Sequence, residues 1–187
     1  MKTSESQTIT IRKAKAYDVS NLCRLLEQAY SDAEGMYPEP DQYMVINWVT
    51  GILSEGYCVV AEKAGRIIGS VAVTNYRFPW SPKWFIYVDW MYVSVGFREG
   101  GVFDGLLTAI HAYADERQAP IFGGISSGKA AALKDRLMRM KGYHYLGGQF
   151  MRDTEVQDGQ RRQQEDDAEV RASSVHRGGR AAVGSAG

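Results

Sequence analysis

The chain has 187 residues, and its 22 basic and 22 acidic side chains give a formal net charge of zero. That length suits one ordinary hydrophobic core plus a tail, and the balanced charge excludes the broad basic field that nucleic acid or an anionic membrane would require. Two cysteines, Cys23 and Cys58, and three isolated histidines have no metal-ligand spacing, and no apolar run approaches the ~20 residues that span a bilayer. The expectation is a soluble protein of a reducing compartment, cytoplasmic, with no metal, nucleic acid or membrane partner.

In chain order, residues 1–7 are polar and read as a flexible N-terminus. Thr8 to Lys13 alternates apolar and polar residues as a half-buried strand does, and Asp18 stands where it could cap a following helix with Leu22, Leu25, Leu26 and Ala29 on one face. Gly35 to Pro40 breaks the periodicity with two prolines. A second helix is expected from Asp41 toward Leu53, with Met44, Trp48 and Ile52 in register and Gly56 as its stop.

Tyr57–Glu62 and Ile67–Val73 are β-rich runs joined by Lys63-Ala-Gly-Arg66, which reads as a hairpin. After a loop at Phe78–Pro82, Trp84–Val95 is the longest strand candidate. A helix from Val102 to Glu116 follows, then a short strand at Pro120–Phe122, a helix from Lys129 to Met140 stopped by Gly142, and two closing strands, Tyr143–Leu146 and Gln149–Arg152. Beyond Glu155 the large apolar residues disappear, apart from scattered valines, and 155–187 reads as a disordered tail.

The join that carries chemistry is Met91 to Leu107, where a hydrophobic strand runs into Arg98, Gly100, Gly101 and an amphipathic helix. A helix start exposes unpaired amide donors and the positive end of its dipole, and glycines let the backbone approach a phosphate closely. Arg98 can add charge at the mouth of such a site.

With this join, the order of elements from Thr8 to Arg152 resembles the GNAT, or Gcn5-related N-acetyltransferase, family. Arg98 and Gly101 occupy the first two places of that family's Arg/Gln-x-x-Gly-x-Gly/Ala signature, and Phe103 stands at the third, where a small residue is usual. Gly142 and Tyr143 resemble the family's turn from the last helix into the final hairpin. The resemblance implies an α+β domain over 8–154, layered α/β/α, with a mixed, mostly antiparallel central sheet flanked by helices.

It also implies transfer of an acetyl or other acyl group from acetyl-CoA to an amine, by direct attack in a ternary complex. Met91 and Val93 would offer backbone groups to the pantetheine arm, and Arg98, Glu99, Gly100, Gly101, Val102, Phe103 and Asp104 would form the pyrophosphate cradle. Alternation along the long strand sets Tyr87, Asp89, Met91 and Val93 on one face and Val88, Trp90 and Tyr92 on the other. Asp89 is the candidate base that takes the amine's proton, with Tyr87 a second choice.

Relatives in this family often carry a tyrosine at the place of Met138, which cannot protonate the departing thiolate, so Tyr143, Ser126 or Ser127 would have to substitute. Tyr37, Glu39, Trp80 and Trp84, on loops that flank the family's substrate cleft, are candidates for holding a small-molecule or protein amine acceptor. Phe103 and Met138 keep a second expectation open: a catalytically inactive scaffold serving as a binding or assembly component. A homodimer or an assembly partner is compatible with either.

Overall fold

The computed structural model describes residues 8–33, 37–124 and 131–147. Expectations for the N-terminus, for Gly35, for Ser126 and Ser127, for the strand 149–152 and for the tail lie outside the described residues. The described residues up to 146 belong to one compact unit.

The elements are β1 (Thr10–Lys13), α1 (Val19–Asp32), α2 (Gln42–Glu55), β2 (Tyr57–Lys63), β3 (Arg66–Arg77), β4 (Trp84–Val93), α3 (Val102–Arg117), β5 (Ile121–Phe122) and α4 (Ala131–Met140). The sheet runs β1-β2-β3-β4-β5 in spatial order, antiparallel throughout except for the parallel pair β4–β5. It is the α+β architecture expected.

Each face of the sheet has its own core. On one, Val59, Val71, Val73, Ile86 and Val93 meet Val102, Leu106, Leu107 and Ile110 of α3. On the other, Val60, Ala72 and Trp90 meet Leu22 and Leu25 of α1 and Val49 and Ile52 of α2. The sheet is therefore the middle of three layers.

Local chemistry explains the joins. The β2–β3 hairpin closes through Ala64 (φ 53°) and Gly65 (φ 74°), the two positive-φ positions of a type I′ turn, with Lys63 paired to Arg66. The Asp41 carboxylate accepts from Met44 N at 2.9 Å and starts α2. Gly56 ends that helix where a Cβ would stand 2.7 Å from the Val73 carbonyl oxygen, so only glycine lets the helix end lie against β3.

Three expectations change. Asp18 does not cap α1; its buried carboxylate takes a bidentate pair from Arg12 at 2.8 and 3.0 Å and the Lys15 amide at 2.8 Å, because β1 runs past it. The buried stripe of α2 is Val49 and Ile52, flanked by Val45 and Leu53, while Met44 and Trp48 remain 65% and 44% exposed. Tyr143–Leu146 forms no strand; its expected partner falls outside the described residues.

Candidate active site

β4 is not a regular strand. Ala72 opposes Trp90 and Val73 opposes Val88, which leaves Asp89 as the extra residue of a bulge. The alternation inverts there. Val88 joins Met91 and Val93 on the α3 face, Trp90 and Tyr92 lie on the α1–α2 face, and Asp89 reaches Thr74, which is paired with Tyr87. The expected grouping of Asp89 with Met91 and Val93, and of Val88 with Trp90, is thus corrected, because period two holds only while one residue opposes one.

The bulge also turns the backbone. Before it, Ile86 N donates to Pro120 O on the β5 side; after it, Ser94 N donates to Ile68 O of β3. Alternation back from Ser94 then aims the N–H and C=O groups of Met91 and Val93 away from β3, toward the edge that β5 has left. The β4–β5 ladder covers only Ile86 and Tyr87, and a Cβ on Gly123 would lie 3.2 Å from the Val88 side chain where the two strands part. Past Tyr87 the β4 edge has no strand partner among the described residues, and the main-chain groups of Met91 and Val93 face that edge.

The turn after β4 leads into α3 through Gly101 at φ 74°, and no side chain caps the helix start. A Cβ at Gly101 would meet nothing within 4 Å, and one at Gly100 nothing closer than 3.8 Å, so this backbone is open to a ligand. Arg98 braces the turn: its Nε donates to Val93 O at 3.0 Å, and its Nη2 pairs with Asp32 at 2.7 Å. Tyr92 Oη donates to the same carboxylate at 2.9 Å, tying the end of α1 to the turn. The Arg98 charge is therefore shared with Asp32.

Phe103 packs against the α3-side core. The ring is partly buried there, on the core side of the helix. Glu99 is exposed, and Asp104 pairs with Lys141 Nζ at 2.7 Å, drawing the end of α4 to the start of α3. That cation offsets the one carboxylate in the helix's first turn.

On the α2 side, a cavity of about 210 Å³ is lined by Trp48, Gly51, Ile52, Glu55, Gly56, Thr74, Tyr76 and Asp89. Thr74 Oγ1 donates to Asp89 Oδ2 at 2.6 Å. Burial raises the Asp89 carboxyl above its ordinary range, and the Thr74 bond opposes part of that rise. Trp48 stands edge-on to Trp90, with ring centroids 5.0 Å apart, and Tyr76 meets Tyr87 edge-on at 6.0 Å. Asp89 is thus a half-buried carboxylate with a raised proton affinity, beside aromatic rings.

Tyr143 lies on the opposite side of the sheet. Its hydroxyl is 3.0 Å from His111 Nε2 of α3, its ring packs against the α3-side core, and burial pushes its pKa up to about 12. Tyr143 and Asp89 therefore serve different faces.

The loop candidates stand apart from the Asp89 cavity. Trp84 is five residues along β4 from Asp89, roughly 15 Å at strand rise, and lies under the Arg77 guanidinium at 4.0 Å. Trp80 is 80% exposed and stacks on Phe78. Tyr37 and Glu39 are exposed beyond α1, the Tyr37 carbonyl accepting from Tyr30 Oη. Trp48, Gly51, Glu55, Thr74 and Tyr76, which line the cavity instead, escape a sequence reading that looks for acceptor contacts in loops. The 48, 51, 52, 55 spacing on α2 was the available signal.

Residues 20–131 match the acetyltransferase (GNAT) family, and the chain belongs to that family. By that membership it is of the acetyltransferase class. No curated protein matches the chain in sequence.

Among similar solved structures is a predicted acetyltransferase from Clostridium acetobutylicum with acetyl-CoA, 21% identical, with a TM-score of 0.65 over 78% of this chain and 96% of that one. The ribosomal-protein-alanine N-acetyltransferase of Brucella melitensis biovar Abortus 2308 is 15% identical, with a TM-score of 0.62 over 79% and 100% of the two chains. An aminoglycoside acetyltransferase from an uncultured soil metagenomic sample, in complex with sisomicin, is 18% identical, with a TM-score of 0.59 over 79% and 97%. These likenesses carry the fold. Among the described residues no group of three or more metal-type ligands occurs, and no helix is long and apolar enough to cross a membrane.

Proposed function

We propose that the protein transfers acetyl from acetyl-CoA to a primary amine by direct attack, with the donor along the β4 edge beyond Tyr87 and the acceptor in the α2-side cavity. The observation that carries this reading is the bulge at Asp89. It turns the main chain of Met91 and Val93 toward that edge while leaving the Asp89 carboxylate in the cavity, so one irregularity serves both substrates.

In this reading Met91, through its N–H and C=O, and Val93, through its N–H, bind the pantetheine amides, the Val93 carbonyl being taken by Arg98. The amides of Val102, Phe103 and Asp104, freed by the Gly101 turn, meet the pyrophosphate. Arg98 and Asp32 hold the turn in that shape. Asp89 accepts one proton of the attacking ammonium, and the neutral nitrogen adds to the thioester carbonyl. As the carbon–sulfur bond breaks, Tyr143 gives its proton to the departing sulfur, and the second proton that the nitrogen sheds on becoming an amide restores the tyrosine hydroxyl.

Depth along the sheet supports the Tyr143 role. From Val102 to His111 is about 13 Å of helix, and from Val93 back to Asp89 about 13 Å of strand, so the His111–Tyr143 pair is level with the bulge. At about 12 the hydroxyl stays protonated at working pH but is a weaker acid than a thiol, so it can give its proton to the sulfur only as the carbon–sulfur bond breaks and its own proton is restored. The packing of Phe103 on the core side of α3 removes the steric objection to a phosphate at the helix start.

The test is calorimetric titration with acetyl-CoA, followed by thiol release on addition of primary amines. Saturable binding and amine-dependent thiol release are expected. Failure of acetyl-CoA to bind would end the reading.

A further inference from the structure

The acceptor cavity has a second acid whose position needs a reason. Glu55 is the last residue of α2, exposed, with no ion pair or hydrogen bond among the described residues. A carboxylate at a helix C-terminus faces the negative end of the dipole, so it does not stabilise its own helix there. Gly56 presses that helix end onto the Val73 carbonyl, next to the Thr74 that bonds Asp89. Glu55 and Asp89 thereby line one cavity, and no lysine or arginine lines it with them.

The rest of the lining agrees with cationic cargo. Trp48 and Tyr76 offer aromatic faces on which an ammonium can rest. Gly51, one turn from Trp48 and one from Glu55, lies inside α2 where glycine costs about 1 kcal/mol of helix propensity against alanine. A Cβ there would meet nothing within 4 Å. The glycine is not demanded by packing; it leaves room in the cavity.

Resting on the acetyl-transfer reading above, we propose that the acceptor is a slim diamine: one nitrogen reacts at Asp89, and a second, still charged, is held between Glu55 and the ring of Trp48. Once the reacting nitrogen has given up its proton, a monoamine has no charge left for Glu55. A diamine has one. The α2 face of Trp48, Gly51 and Glu55 is then the specificity element of the enzyme.

The full chain, saturated with acetyl-CoA, is assayed with 1,4-diaminobutane, butylamine and 4-amino-1-butanol at matched concentrations of free amine. The diamine is expected to have a kcat/KM about two- to fivefold above the other two, the size of one exposed charge contact. Glu55→Gln should bring that ratio to about one through KM, and Gly51→Leu should depress all three by filling the cavity. Equal values for diamine and monoamine in the wild type, or a preference that survives Glu55→Gln, would overturn the diamine assignment while leaving acetyl transfer intact.

If no amine is acetylated, calorimetry decides between the two ideas. Saturable diamine binding that is lost in Glu55→Gln keeps the cavity's preference and removes the catalytic reading; absence of diamine binding to the wild type removes the cavity's preference as well.

Discussion

The two faces of the sheet are built on different principles. Toward α3, the groups available to a ligand are main-chain ones: the β4 edge at Met91 and Val93 and the first amides of α3 behind Gly101. Toward α2, they are side chains: Asp89, Glu55, Trp48 and Tyr76. A donor that is the same molecule throughout a family can be held by backbone, which any sequence of the right shape supplies. An acceptor that differs between enzymes has to be read by side chains.

Replacements on the two faces should therefore separate. The largest effect is expected for Asp89→Asn, which removes the proton acceptor and should lower kcat roughly 10²- to 10⁴-fold while calorimetric affinity for acetyl-CoA stays within about twofold. A parallel loss of donor affinity would mean that the faces are not independent.

Phe103→Ala should act on the fold, costing about 2 kcal/mol in a denaturant melt through lost packing on the α3-side core. Weakened acetyl-CoA binding in the refolded protein beyond that explained by stability would place the ring at the ligand instead. Gly101→Val comes next: a β-branched residue at φ 74° is strained by about 1–2 kcal/mol, and donor affinity should fall with the distorted turn while amine binding is retained.

The smallest effect sharpens the acid on the α2 face. Asp89 must be ionised to accept a proton, so kcat should fall on the acid side at a pH above the ordinary carboxylate range, because burial raises this group. The Thr74 hydrogen bond holds it down in part. Thr74→Val removes that bond and should move the acid limb to higher pH; a shift to lower pH in a stopped-flow pH profile would reverse the assignment.

Much of this architecture was legible in the residues. The β2–β3 turn was carried by Ala64-Gly65, the α2 start by Asp41, and the donor turn by Gly100 and Gly101 before the apolar stripe of Leu106, Leu107 and Ile110. Each is a local matter of dihedral freedom or capping. The acceptor side was not legible in the same way. Trp80 and Trp84 drew attention as loop aromatics, whereas the cavity uses Trp48 and Tyr76, brought beside Asp89 by the contact of Gly56 with Val73.

By itself, the sequence determined the strand and helix order, the hairpin and the glycine turn into α3, because short-range sterics and periodicity are written in neighbouring residues. Only the tertiary structure decided which face Asp89 serves. A bulge adds one residue to β4 but is defined by its pairing with Ala72 and Val73 of β3, and no local pattern in Trp84–Val93 announces it. The same holds for the core-side packing of Phe103 and the partnership of Tyr143 with His111, which depend on contacts across the sheet and between helices rather than along the chain.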